Sequence, residues 1–404
     1  MSTVKKIVKN IAYKVPVLKE KLGAAKVLSE ENKKLVQTQE SLIQERDHLI
    51  NALSDYRNKT KEEMMKIAFE RPFDIALETF TRCNSRCVFC AYRKVRRKKE
   101  LMPMDLFEKI CSEYVEMGGG ALGFAPLLAD PLLDPYLLDR IRRARKWHPA
   151  IRMYIFTNAI QFSRYSDEKI LLILDSIEGM NISLSMLSRE DYKKMFQVDK
   201  YDAVMNTLRR INRLSKEVEF APDIYLHART SRQKETLESE TFKRLVDMGF
   251  LCGDVSDIFT DWGGIIKKEE MPEGTQLLSQ DNRQAGIDVP CLIPMVSLTI
   301  SANGDVLACG CFDADMANIV GNIGQETLHE IWHGENLKTF RESFSKKQLA
   351  DICVTCAHYT SIRDTFSQPF FIGFNPREHS FWASLYHKKT YKTKIVDKTN
   401  FRYY

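Results

Sequence analysis

The sequence predicts an α/β protein: six strand–helix units on one parallel sheet, a long helix before them and a small α+β region after them. Three observations carry this prediction. Between residues 73 and 285, apolar spacing alternates between strand and helix periods in units of about 30 residues, the length of a strand plus its crossover helix. From Leu28 onward a heptad stripe runs with neither Pro nor Gly between residues 24 and 71. Cysteines gather in two groups, one at 83–90 and one at 291–356.

Residues 1–26 are basic and amphipathic, with Val4, Ile7, Val8 and Ile11 at helical spacing. They read as a solvated lead-in helix, or as one that docks on a membrane surface or a partner. Leu28, Leu35, Leu42, Leu49 and Tyr56 then recur every seven residues, while Asn32, Gln39 and Arg46 make the second seam polar. This is one coiled-coil-like helix. Residues 28–60 offer a surface for self-association or for packing back onto the body, and no chemistry. Pro72 ends the helix.

Strands are expected at Phe73–Thr79, Ala121–Phe124, Arg152–Phe156, Asn181–Met186, Glu219–His227 and Val255–Phe259. Helices include Asp105–Met117, stopped by Gly118-Gly119-Gly120, and Tyr201–Ser215, with Val204, Leu208 and Ile211 on one face. In such sheets, sites form at the carboxyl ends of strands. The boundaries predicted are 1–71 for the helical segment, 72–285 for the sheet domain, 286–360 for the second cysteine region and 361–404 for a tail rich in aromatics and Lys.

At 404 residues, with 44% hydrophobic and 28% charged, the chain has ordinary globular composition and length for two or three folded units. A net charge of +6 allows an anionic small-molecule substrate without demanding one. No 18-residue apolar run is present, and Lys5, Lys6, Lys9 and Lys14 interrupt any signal-peptide core. Ten cysteines without an export signal point to metal ligation in a reducing compartment, so a cytoplasmic location is expected.

Cys83, Cys87 and Cys90 follow the first strand with spacing C-x3-C-x2-C, and no Cys or His lies between 91 and 110. Three thiolates can hold three irons of a [4Fe–4S] cubane and leave the fourth open. A structural zinc knuckle is the alternative, but it needs a fourth ligand. The motif, with Phe89 before its last cysteine, resembles the signature of the radical SAM superfamily. That resemblance implies a partial (β/α)6 barrel and S-adenosylmethionine (SAM) chelated by the open iron. It also implies a reductant such as flavodoxin or ferredoxin, and a 5′-deoxyadenosyl radical that takes hydrogen from substrate. It places Phe89 near the adenine.

The same resemblance extends to Leu128-Ala129-Asp130-Pro131, which is similar to the Gly-Gly-Glu-Pro segment that binds the SAM amino group, with Asp130 supplying the acid. A Pro-rich turn capped by Asp130 is the other reading. Thr157-Asn158-Ala159 resembles Thr-Asn-Gly, so Asn158 faces the site or caps a turn. Ser183 and Ser185 alternate on the fourth strand, where one could reach the ribose. Arg229 could pair with the SAM carboxylate or lie at the surface. The basic run Arg93, Lys94, Arg96, Arg97, Lys98 and Lys99 could draw in an anionic substrate or form a solvated loop. No nucleic-acid motif accompanies it, so no nucleic-acid partner is expected. Cys111 and Cys252 read as small core residues.

Cys291, Cys309, Cys353 and Cys356, with Gly304, Gly321-Asn322-Ile323 and Trp332 between them, resemble the SPASM/twitch region that binds auxiliary iron–sulfur clusters. The residues after 356 contain no cysteine, so the count fits one four-cysteine cluster, with Cys311 a rival ligand. A zinc site is the structural alternative. The spacing is similar to that of the butirosin-pathway type of cyclitol dehydrogenase. The resemblance therefore implies an oxidoreductase acting on a sugar, cyclitol or similar polar metabolite, with an auxiliary [4Fe–4S] cluster as electron carrier. A maturase modifying a ribosomally made peptide and a metal-stabilised scaffold are the alternatives.

Overall fold

The computed structural model describes residues 70–362 except 126, 149, 280–286, 288, 311, 358 and 360, together with seven residues between 30 and 42. Two compact units divide the chain, Met1–Met65 and Lys66–Tyr404. In the first, Glu30, Lys34, Leu35, Gln37, Thr38, Gln39 and Leu42 are helical. Leu35 and Leu42 of the heptad stripe are exposed. The amphipathic segment 1–26, the remaining heptads and the tail beyond Ile362 lie outside the described residues.

The second unit holds one nine-stranded sheet. Its parallel part is β1 (Asp74–Leu77), β2 (Gly120–Phe124), β3 (Ile151–Thr157), β4 (Gly179–Leu184), β5 (Asp223–Arg229) and β6 (Leu251–Ser256), hydrogen-bonded in chain order. Helices α1 (Met104–Glu116), α2 (Leu137–Arg145), α3 (Asp167–Ser176), α4 (Arg189–Phe196), α5 (Tyr201–Leu214), α6 (Gln233–Glu238) and α7 (Glu240–Asp247) fill the crossovers. This is a partial (β/α)6 barrel. Period-2 alternation sorts its two faces. Ile75, Leu77, Leu122, Phe124, Met153, Ile155, Met180 and Ile182 are buried in one core with the helices. Asp74, Tyr154, Phe156, Asn181 and His227 occupy the opposite, concave face, where they touch one another.

A short parallel pair, β7 (Ile258–Thr260) and β8 (Gln276–Leu278), follows the barrel. Helix α8 (Ile293–Val296) leads into β9 (Ser297–Ile300), which pairs parallel with β1 and so extends the barrel sheet. The strands β10 (Asp305–Leu307) and β11 (Ile319–Asn322) then return antiparallel. Helices α9 (Leu328–His333), α10 (Glu335–Ser343) and α11 (Asp351–Val354) complete the region.

The first and fourth strands shift by up to two residues from expectation, and two others depart further. β5 begins at Asp223 because Glu217–Phe220 turn out of α5. The expected strand 255–259 is split, with β6 ending at Ser256 and Phe259 pairing with Leu277 in β7. Cys111 is buried as expected, but Cys252 is exposed, not a core residue. The reason is its place on β6, the sheet edge with a partner on one side only.

Candidate active site and auxiliary cysteine cavity

The first three cysteines lie on the loop leaving the carboxyl end of β1, and α4 anchors that loop. Ser85 donates its hydroxyl to the Phe196 carbonyl at 2.9 Å, and the amides of Arg86 and Val88 donate to Phe196 and Met195 carbonyls. These acceptors are the last carbonyls of α4, which have no partner within the helix. Burial pushes the Cys83 thiol up to about 12, helped by the nearby Asp130 carboxylate, and pushes Cys90 up to about 11. Cys87 is raised by burial and then by its neighbours Cys90 and Cys83. Three buried sulfurs therefore share one small site, and a bound cationic centre would have to displace their protons. Asn158 adds an amide donor, with Nδ2 lying 3.7 Å from Cys83 Sγ and 2.8 Å from Asn84 Oδ1. A three-sulfur set with N–H donors aimed at it fits an iron–sulfur cluster with one open corner.

Asp130 is placed beside this loop, but its carboxylate is occupied. It accepts from Leu132 N at 3.1 Å, Asn158 N at 2.8 Å and Thr157 Oγ1 at 2.9 Å. Burial lifts it to about 6 despite these bonds. Its visible work is to cap the turn after β2 and to fix Thr157-Asn158 at the end of β3. Ala159, where the resembling motif has Gly, is left-handed at φ 60°.

Glu78, at the end of β1 and 1% exposed, accepts from Leu128 N at 3.3 Å and pairs with Arg97. Arg93 and Lys94 both pair with Glu270. Half of the basic run is thus paired internally and is not free to attract an anion. Phe89 stacks on Phe259 at 5.0 Å and meets Phe196 edge-on at 5.5 Å.

Two of the other expected SAM contacts, Ser185 and Arg229, are engaged elsewhere. Ser185 is fully buried and donates to Asp191 at 2.5 Å, so its hydroxyl does not point to a ribose. Ser183 is half-buried on β4, level with His227 on β5. Arg229 ends β5 and pairs with Asp254 of β6. Asp254 also holds His227 Nδ1, while His227 Nε2 lies 2.8 Å from Asn181 Oδ1. Burial raises Asp254, but His227 and Arg229 outweigh it and hold the carboxyl below its ordinary range. This Asn181–His227–Asp254–Arg229 chain across three strands was not visible in the sequence. Its one signal is Gly253, where a Cβ would stand 2.4 Å from the His227 ring.

Cys291, Cys309, Cys353 and Cys356 line one apolar cavity together with Phe312 and Phe344. The Cys353 thiol is raised by burial and then by Cys309, Cys291 and Cys356. Four converging sulfurs in an apolar pocket fit a fully ligated cluster. Cys311 lies outside the described residues. Among the described residues, no three His, Cys, Asp or Glu side chains converge on a single-ion position. The two cysteine sites are linked by Trp262. Its indole N–H donates to the Phe89 carbonyl at 2.9 Å, and its ring meets Phe312 at 5.4 Å.

Residues 77–226 match the family model of the radical SAM superfamily, and residues 291–357 match that of SPASM, an iron–sulfur cluster-binding domain. The chain thus carries a radical SAM domain, which implies a SAM-binding [4Fe–4S] cluster, followed by a SPASM domain, which implies auxiliary iron–sulfur. It is 24% identical over 156 residues to GTP 3′,8-cyclase of Chlorobaculum tepidum, covering 38% of this chain and 46% of that protein. It is 24% identical over 106 residues to the S-adenosyl-L-methionine-dependent 2-deoxy-scyllo-inosamine dehydrogenase of Niallia circulans, covering 26% and 37% respectively. The chain therefore spans less than half the length of these relatives. Streptococcus suis SuiB, solved bound to the precursor peptide SuiA, shares the fold with TM-score 0.50 and 14% identity, over 77% of each chain. No helix among the described residues is long and apolar enough to cross a membrane.

Proposed function

We propose that this enzyme oxidises a polar small molecule, such as a sugar or cyclitol, by hydrogen abstraction followed by loss of an electron to the SPASM site. The observation that carries this reading is the convergence of Cys291, Cys309, Cys353 and Cys356 on one apolar cavity, joined to the Cys83–Cys90 loop by Trp262. When bound, the first cluster and SAM supply the hydrogen-abstracting chemistry. An alcohol that has lost a hydrogen atom from carbon must still lose one electron and its hydroxyl proton to become a carbonyl. A cluster with all four irons ligated by protein can accept that electron but cannot bind substrate.

In this reading Cys83, Cys87 and Cys90 hold the SAM-binding cluster, and Asn158 directs an N–H at the Cys83 sulfur. Asp130 acts indirectly, by fixing Thr157 and Asn158. Ser183, Phe156 and His227 belong to the concave wall that a polar substrate would meet, and Arg229 keeps Asp254 in place against His227. The dehydrogenase activity in the name of the Niallia circulans relative supports this substrate class.

The test is turnover by anaerobically reconstituted protein supplied with reductant, SAM and a panel of deuterated cyclitols and sugars. Deuterium in 5′-deoxyadenosine together with a carbonyl product is the expected result. Deuterium transfer from a short peptide and from none of the polyols would replace this reading with peptide modification.

A further inference from the structure

Asn158 directly follows Thr157, the last residue of β3, and is buried. The two ends of an asparagine amide have the same shape and are told apart by their partners. Here the partners leave one choice. The Ile160 amide donates to Asn158 Oδ1 at 2.9 Å, so that end is the oxygen. Nδ2 then carries two protons on the opposite side. It donates to Asn84 Oδ1 at 2.8 Å and lies 3.7 Å from Cys83 Sγ, a donor distance that suits the larger sulfur atom. Turning the amide over would set its nitrogen against the Ile160 N–H. The backbone is fixed as well, because Asp130 accepts from Asn158 N at 2.8 Å and from the Thr157 hydroxyl.

Ser85 does not fill the same role. Its Oγ is 3.2 Å from Cys87 Sγ, but its single proton goes to the Phe196 carbonyl. The Tyr92 amide, 3.5 Å from Cys90 Sγ, is part of the backbone. Asn158 is thus a side-chain donor committed to a sulfur of the loop. With one Nδ2 proton on Asn84 and the other facing Cys83, its amide has no donor left for SAM. Cluster assembly turns Cys83 into a thiolate, and a hydrogen bond to an ionised acceptor is stronger than one to a neutral group.

We propose that Asn158, locked by Ile160 and Asn84, donates a hydrogen bond to the Cys83 ligand sulfur of the SAM-binding cluster, raises that cluster's reduction potential and makes no contact with SAM. A donor aimed at a ligand sulfur favours the reduced, more negatively charged state. This rests on the three-cysteine loop holding a cluster. Asn158 is a positioning residue here, acting through Cys83 and touching no reacting atom.

The experiment uses the full chain, reconstituted without oxygen, as wild type, Asn158→Leu and Asn84→Ala, each labelled with 15N at the asparagine side-chain amide. The SAM-responsive EPR signal identifies the relevant cluster during redox titration. Asn158→Leu is expected to keep its iron content and its affinity for SAM, with its midpoint moved to a more negative potential. Pulsed EPR of the reduced cluster should show a 15N coupling in wild type and in Asn84→Ala, which keeps the donor, and none in Asn158→Leu. An unchanged midpoint in Asn158→Leu, a coupling that survives there, or a coupling lost in Asn84→Ala overturns the proposal. Weakened SAM binding by Asn158→Leu overturns it whatever the midpoint, because Asn158 would then be a SAM contact. If Asn158→Leu takes up no cluster, the wild-type and Asn84→Ala couplings decide alone: their absence overturns it and their persistence supports it. A wild type with no SAM-responsive four-iron signal would instead sink the cluster assignment on which the proposal stands.

Discussion

Replacing Arg97 by Met would leave Glu78 buried and without the cation that faces it. Glu78 is 1% exposed, Arg97 side-chain exposure is 13%, and one carboxylate oxygen also accepts from Leu128 N at 3.3 Å. Removing one member of a buried pair costs about 3–5 kcal/mol, because the remaining charge has lost both water and partner. The loss should depend on pH in a definite direction. Burial already raises Glu78 above its ordinary value, with Arg97 pulling the other way. Without Arg97 it rises further. A carboxyl raised in the folded state binds more protons there than in the unfolded chain, so stability falls as pH climbs from the unfolded value towards the folded one. The Arg97→Met penalty should therefore be largest near pH 8 and shrink towards pH 5. Urea unfolding of the cluster-free protein, followed by circular dichroism at both pH values, measures it. Glu78→Gln combined with Arg97→Met should recover much of the loss. A penalty below about 1 kcal/mol at pH 8, or one equal at both pH values, would refute the reasoning from a buried pair.

Ala159 sits at φ 60°, so Ala159→Gly should stabilise the chain by about 1 kcal/mol in the same unfolding assay. Gly253→Ala would place a Cβ 2.4 Å from the His227 ring and should destabilise by about 1–3 kcal/mol, read as a lower urea midpoint. Trp262→Phe removes the donor to the Phe89 carbonyl and should cost about 1 kcal/mol, while the iron content of both sites is kept. Cys353→Ala should lose about four irons and substrate oxidation yet still form 5′-deoxyadenosine, measured by chromatography with iron analysis.

The cysteine loop was legible because its chemistry is written in local spacing, and the parallel sheet because six units repeat one pattern. Helix limits came within a residue, with Met104–Glu116 found against Asp105–Met117. The limits of β5 and β6 did not, because the exposed Phe220 looked like a strand residue and the break at Asp257 carries no Pro or Gly. The sequence placed Asp130 at the site but not its partners, since the bond to Asn158 depends on β2 and β3 lying side by side. Arg97 was counted within a charged run, and nothing local distinguishes it from Arg96 until Glu78 is found behind it. His227, Asp254 and Asn181 are single polar residues on three strands, and only sheet register brings them together.

Mössbauer spectroscopy of 57Fe-reconstituted protein, with and without SAM, bears most directly on the central claim. Two [4Fe–4S] centres are predicted, one of which has a single iron whose isomer shift moves when SAM is added, while the other is unchanged. A lone centre, or two centres both indifferent to SAM, would contradict an open-cornered cluster on Cys83, Cys87 and Cys90 partnered by a closed one on the SPASM cysteines.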